Sequence, residues 1–114
     1  MVDRSPPVET QAKGRQMLDG HYIRQTTSEE VWIQDGVYHR LNGPAIVAKN
    51  GTKHWYQNGV LHREDGHASE WTEYKLKCYY LNGNHYPGIK NDLQWRIEVQ
   101  KWKRNQKKVD KCLN

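Results

Sequence analysis

The segment Trp32-Ile-Gln-Asp-Gly-Val-Tyr-His39-Arg40-Leu-Asn42-Gly43-Pro-Ala45 returns as Trp55-Tyr-Gln-Asn-Gly-Val-Leu-His62-Arg63-Glu-Asp65-Gly66-His-Ala68. The offset is 23 residues at every matched position, including both glycines, the His-Arg step and the closing alanine. A weaker third copy, Cys78-Tyr79-Tyr80-Leu-Asn82-Gly83-Asn-His85-Tyr86, keeps the Asn-Gly pair and loses the His-Arg step; its Tyr79 lies 24 residues beyond Trp55. Self-similarity at such a period marks stacked supersecondary units, each too small to fold alone.

Each copy has its own turn chemistry. Asp35-Gly36, Asn58-Gly59 and Asn82-Gly83 are pairs that accept the positive φ of tight hairpin turns. A second turn signal follows at Asn42-Gly43-Pro44 and Asp65-Gly66, with strand-like residues between (Val37-Tyr38-His39 and Val60-Leu61-His62) and beyond (Ala45-Ile46-Val47 and Ala68-Ser69-Glu70-Trp71). Upstream, Asp19-Gly20-His21-Tyr22-Ile23-Arg24 echoes Asp35 to Arg40, as an atypical capping copy would. The expectation is a mainly β protein, an elongated twisted antiparallel sheet of tandem hairpins with a C-terminal α-helix.

Three regions are expected: a mobile arm over 1–16, a β-repeat domain over 17–88, and a helix with a basic tail over 89–114. Pro87-Gly88 ends the strand pattern, Asn91 is a good N-cap, and Asp92 suits the first helical turn. Leu93 and Ile97 form one apolar row, with Trp95, Val99, Trp102 and Val109 in an adjacent one. Such a stripe either docks on the sheet or binds a partner.

A chain of 114 residues with mean hydropathy −1.10 builds only a thin core. Five Trp and seven Tyr with no Phe suit a sheet whose faces are covered by amphipathic rings, and they equally suit a binding surface. Lys101, Lys103, Arg104, Lys107, Lys108 and Lys111 against Asp110 give +5 over residues 101–111, which is the net charge of the whole chain. That cluster is a candidate contact for phosphates or an acidic protein surface; its alternative is a solvated helix end next to the negative pole of the helix dipole.

The six His raise metal or acid–base chemistry, but a reaction needs its groups once at one geometry. His39-Arg40 and His62-Arg63 recur in register, as scaffold positions do, with rings hydrogen-bonding turn carbonyls or the Asp and Asn of neighbouring turns. Cys-x-x-Cys, His-Glu-x-x-His, Gly-x-Ser-x-Gly and phosphate-loop patterns are absent from the sequence. Cys78 and Cys112 read as free thiols. With no apolar run long enough for a membrane span or a signal, an intracellular protein without enzymatic activity, metal or cofactor is expected.

The motif Trp55-Tyr-x-Asn-Gly-x-Leu-His-Arg-Glu-Asp-Gly-His-Ala resembles the Trp-Tyr-x-Asn-Gly-x-x-His-Arg-x-Asp-Gly-Pro-Ala repeat of small bacteriophage and giant-virus proteins, and its period is similar to that of MORN-type hairpin repeats. The resemblance spans residues 31 to about 104. It departs where His67 replaces the motif's Pro and Tyr79 its Trp. It implies a viral accessory protein in the cytoplasm of an infected bacterial host and brings no catalytic residues with it.

Three functions follow as expectations. The first is an interaction module that binds a host protein or ribonucleoprotein complex, such as a defence nuclease, a CRISPR effector or the transcription machinery, through Arg40, Arg63, Tyr56 and Trp71. The second is direct nucleic-acid binding by the basic helix, with Trp95, Trp102 or exposed Tyr stacking on bases. The third is a minor virion or assembly component extended by edge pairing; the chain itself is expected to be a monomer or a small homo-oligomer.

Overall fold

The computed structural model describes residues 17–113, with side chains through residue 106. The expected arm over 1–16 lies outside the described residues, as do the side chains of Val109 and Cys112. The protein is mainly β, with antiparallel sheets and one C-terminal helix.

The first hairpin joins β2 (Glu30–Gln34) to β3 (Val37–Tyr38) through Asp35-Gly36, pairing Gln34 with Val37. The second joins β6 (Tyr56–Gln57) to β7 (Val60–Leu61) through Asn58-Gly59, and the third joins β10 (Tyr80–Leu81) to β11 (Asn84–His85) through Asn82-Gly83. In each, both turn residues have positive φ, from 50° to 84°. That is the two-residue turn whose twist matches the flanking strands, and it is why Asp or Asn precedes Gly at all three places.

The remaining strands are β1 (Gly20–Ile23), β4 (Ile46–Val47), β5 (Lys53–His54), β8 (Ser69–Trp71) and β9 (Leu76–Cys78). With β2 and β3 they form a seven-stranded sheet in the order β1-β2-β4-β5-β8-β9, β3 pairing with β2 off that path. The echo strand β1 lies on its edge, pairing His21 with Trp32. Hairpins β6–β7 and β10–β11 stand outside this sheet as separate two-stranded units, which differs from the single ribbon expected of the sequence. In the second and third copies the chain leaves the sheet at the opening aromatic, Trp55 or Tyr79, whereas β2 runs through Trp32 without a break. The Trp55 amide donates to Ala68 in the sheet while the Trp55 carbonyl accepts from His62 in the hairpin; one residue thus belongs to two ladders.

The core is in two pieces. Val31, Ile33 and Ile46 are packed with Met17, Tyr22, Tyr38 and Tyr56 at one end. At the other, Tyr79, Leu81, Trp95 and Val99 are packed with Tyr86, Ile89 and Trp102. The second cluster is where α1 (Asp92–Leu113) docks. Asn91 Oδ1 accepts the Gln94 amide at 2.8 Å and Gln94 Oε1 accepts the Lys90 amide at 2.9 Å, so amides at the helix start have side-chain partners. Of the two apolar rows on α1, the Trp95–Val99–Trp102 row packs inward, and Leu93 and Ile97 remain exposed.

Candidate functional site

The His-Arg steps sit where one turn meets the next hairpin. His39 Nδ1 accepts the backbone N–H of Asn58 at 2.9 Å, and His62 Nδ1 accepts that of Asn82 at 2.9 Å. Of the two partners the sequence suggested, turn carbonyls or the Asp and Asn of neighbouring turns, the rings take the second, accepting from the backbone amide of the Asn in the next turn. A neutral ring accepting at Nδ1 carries its proton on Nε2, and the Nε2 atom of His62 lies 3.2 Å from Glu64 Oε2. The neighbouring backbone groups follow suit: Gly59 donates to Tyr38 and Gly83 to Leu61, Arg40 to Tyr56 and Arg63 to Tyr80. At the first turn the Asp19 carboxylate takes over this role, accepting the amides of Asp35 at 3.1 Å and Gly36 at 2.8 Å.

Each arginine folds back over the tryptophan eight residues before it. The Arg40 guanidinium carbon is 3.8 Å from the Trp32 ring centroid, and that of Arg63 is 4.1 Å from the Trp55 centroid. Arg40 Nη1 donates to the Pro44 carbonyl at 3.1 Å, and Arg63 Nη1 donates to the His67 carbonyl at 3.0 Å. A Cβ on Gly43 would meet Arg40 Cζ at 2.9 Å, and one on Gly66 would meet Arg63 Cζ at 3.1 Å. These glycines serve to leave room for a guanidinium. Planar Arg suits such stacking, where the compact ammonium of Lys does not.

Between the two loops runs an open groove of about 690 Å³ lined by Arg40, Leu41, Pro44, Trp55, Arg63 and Asp65, among others. The two copies differ in charge there. Arg63 Nε donates to Asp65 Oδ1 at 2.9 Å, whereas Asn42 stands two residues after Arg40.

The other expected contact residues are dispersed. Tyr56 is half-buried, its ring 5.2 Å from that of Tyr38 against the first core cluster. Trp71 is exposed on β8, edge-on to His54 at 4.7 Å, and borders a second groove of about 480 Å³ with Tyr74 and Asn50. Lys101 pairs with Glu98 at 3.5 Å, and Lys103 reaches from the helix to Glu64 at 3.2 Å. Arg104 is exposed, and Lys107, Lys108 and Lys111 lie outside the residues whose side chains are described. Trp95 is 1% exposed at the centre of the second core cluster, which removes it as a base-stacking group; Trp102 packs against the same cluster, its ring 5.5 Å from that of His62.

Burial holds the His54 imidazole below its ordinary 6.5, against the raising field of Glu29. Its Nδ1 lies 2.9 Å from the buried Ser69 hydroxyl. The Glu70 carboxyl is held below 4.5 mainly by its hydrogen bond with His67. Among the described residues no cluster of three or more His, Cys, Asp and Glu side chains is arranged to hold a metal ion, and no helix is long and apolar enough to cross a membrane. Sequence reasoning missed the Arg–Trp stack and the role of Asp19; the constant eight-residue step from Trp to Arg was the available signal for the first. No family model, curated protein or solved structure matches this chain.

Proposed function

We propose that this protein is a non-enzymatic interaction module of viral origin, which acts in the cytoplasm of an infected bacterium by binding a host protein or ribonucleoprotein complex and inhibiting or redirecting it. Its 23-residue unit is the building block: an Asp/Asn-Gly hairpin, a His that holds the next turn, and an Arg stacked on the unit's own Trp. The resemblance to phage and giant-virus repeat proteins supports the origin. The use of the same His and Arg groups twice in the same structural bonds supports a scaffold without catalysis.

The observation that carries the binding reading is the free edge of the sheet. There β9 ends the strand order, and Trp71 and Leu76 face each other across the β8–β9 pair with Tyr74 in the connecting turn, all three side chains exposed. Exposed aromatics on an open edge are the usual material of protein recognition. An affinity capture from bacterial lysate, divided into nuclease-treated and untreated halves, tests it: a stoichiometric partner that survives nuclease and is lost with Trp71→Ser plus Tyr74→Ser is expected, and no nuclease-resistant partner would overturn the reading.

Nucleic-acid binding is the second reading, favoured by the exposed Arg96, Lys101, Lys103 and Arg104 on α1. Recovery that collapses with nuclease, and a salt slope that flattens when Lys103, Arg104, Lys107 and Lys108 become Gln, would establish it instead. A virion or assembly role requires edge pairing between copies, and a mass independent of concentration argues against it.

A further inference from the structure

The two Arg–Trp stacks provide a comparison inside one molecule. Both guanidiniums lie on a tryptophan ring, both sit over a glycine, and both give Nη1 to a carbonyl four residues on. They differ in one bond. Arg63 directs Nε to the Asp65 carboxylate, and at the matching place in the first copy Asn42 leaves Arg40 without a carboxylate among the described residues. Among the described residues the other two partly or fully buried arginines are neutralised, Arg24 by Glu29 at 2.9 Å and Arg63 by Asp65. Arg40 is thus a guanidinium held in a fixed plane beside an open groove, with no carboxylate paired to it among the described residues.

We infer that Arg40 is a recognition site for a carboxylate side chain of an acidic protein partner, received in the groove where Asp65 would stand if the first copy matched the second. This rests on the interaction-module reading above and names the chemistry of the partner. A guanidinium immobilised by stacking binds a planar anion with little loss of side-chain freedom. Leu41 is 69% exposed and lines the same groove with Pro44, so an apolar residue next to the incoming carboxylate has a contact. The acids that share the groove favour a protein over a polynucleotide. Glu64 already bridges His62 and Lys103, and Asp65 holds Arg63; these carboxylates repel a run of phosphates and leave space for one carboxylate at Arg40.

The reciprocal substitutions Asn42→Asp and Asp65→Asn test the inference on the full chain. The first supplies Arg40 with an internal carboxylate, and the second releases Arg63; both positions are exposed, so folding is maintained. The arginine Nε–H signals are followed by nuclear magnetic resonance during titration with an acetylated, amidated Gly-Leu-Glu-Leu-Gly peptide, which carries one carboxylate between apolar residues, and separately with a twelve-residue oligothymidylate. In the native protein the Arg40 signal is expected to move and the Arg63 signal to stay. Asn42→Asp should weaken peptide binding by about tenfold or more, the value of one charge-assisted hydrogen bond, and Asp65→Asn should make the Arg63 signal respond.

Equal movement of both signals in the native protein, or unchanged binding in Asn42→Asp, would overturn the inference. So would an oligothymidylate that moves Arg40 as the peptide does. If lysate capture yields a partner that Asn42→Asp retains at native level, the Arg40 site fails while the interaction module stands. If capture yields none, the module reading fails, and the peptide titration still decides the chemistry of Arg40.

Discussion

His62 Nδ1 accepts the backbone amide of Asn82 at 2.9 Å, twenty residues along the chain, with the His62 side chain 5% exposed. That bond fastens the third hairpin, and through it the docked helix, to the second copy. His62→Ala leaves a turn amide without its acceptor and opens space beside Trp102. A loss of about 2–3 kcal/mol in urea unfolding is expected. His62→Asn, which keeps a side-chain acceptor, should recover part of it. Equal stability of His62→Ala and the native protein would remove the ring from the account of folding.

Arg63 and its ion-pair partner are expected to separate in energy. Asp65 has a side chain 85% exposed, and a surface pair of this kind contributes under about 1 kcal/mol. Arg63→Ala also removes the stack on Trp55 and the bond to the His67 carbonyl, together about 1–3 kcal/mol. Thermal or denaturant unfolding of Arg63→Ala and Asp65→Asn side by side measures the difference; a larger effect for Asp65→Asn would mean that charge, rather than stacking, holds the loop.

Trp95 separates volume from polarity. It is nearly inaccessible, and its indole Nε1 is buried with no hydrogen-bond partner. Trp95→Ala should cost about 3–5 kcal/mol through the cavity it leaves. Trp95→Phe loses some packing but removes the unsatisfied N–H, and should cost less than about 1.5 kcal/mol. Leu93→Ser, on the exposed row where Leu93 is 63% accessible, should change stability by less than about 0.5 kcal/mol. Helical circular dichroism followed through unfolding reads all three.

Stability should fall on both sides of neutrality. His54 titrates below 6.5 in the folded protein because burial opposes its charge, so the unfolded chain binds the proton first and stability is lost as pH drops below 6.5. Glu70, held below 4.5 by its bond with His67, adds a further loss as pH falls below 4.5. Burial raises Tyr56 and Tyr79 above 10.0, and their contribution disappears as pH rises beyond that value. Urea midpoints measured against pH should show this plateau. His54→Asn should shallow the limb between 6.5 and 4.5, and an unaltered limb would assign it to other groups.

What could be read in advance was local. Asp35-Gly36, Asn58-Gly59 and Asn82-Gly83 announce their turns because positive φ is a constraint on single residues, and Asn91 announces the helix start because its own side-chain oxygen accepts the Gln94 amide. The departure of the hairpins from the main sheet was hidden, since Trp55 divides its amide and carbonyl between two ladders by tertiary geometry alone. Arg40 and Arg63 were legible as recurring residues and illegible as stacked ones. Their partners lie eight positions back, a spacing that belongs to neither helix nor strand periodicity, although the third copy, with Tyr79 and Pro87 at the two places, lacks Trp and Arg together. Tyr56 looked like a contact residue because composition does not distinguish a ring that covers a core from one that meets a partner.

The two core clusters have no residue in common. Between them lie His62, Arg63, Trp55 and His67, joined by hydrogen bonds and ring contacts. Cooperativity between the ends of the molecule must therefore cross a polar middle. Directional bonds fail abruptly when a partner is lost, whereas aliphatic contacts weaken by degrees. Whether the protein melts as one body or as two is decided at those few rings.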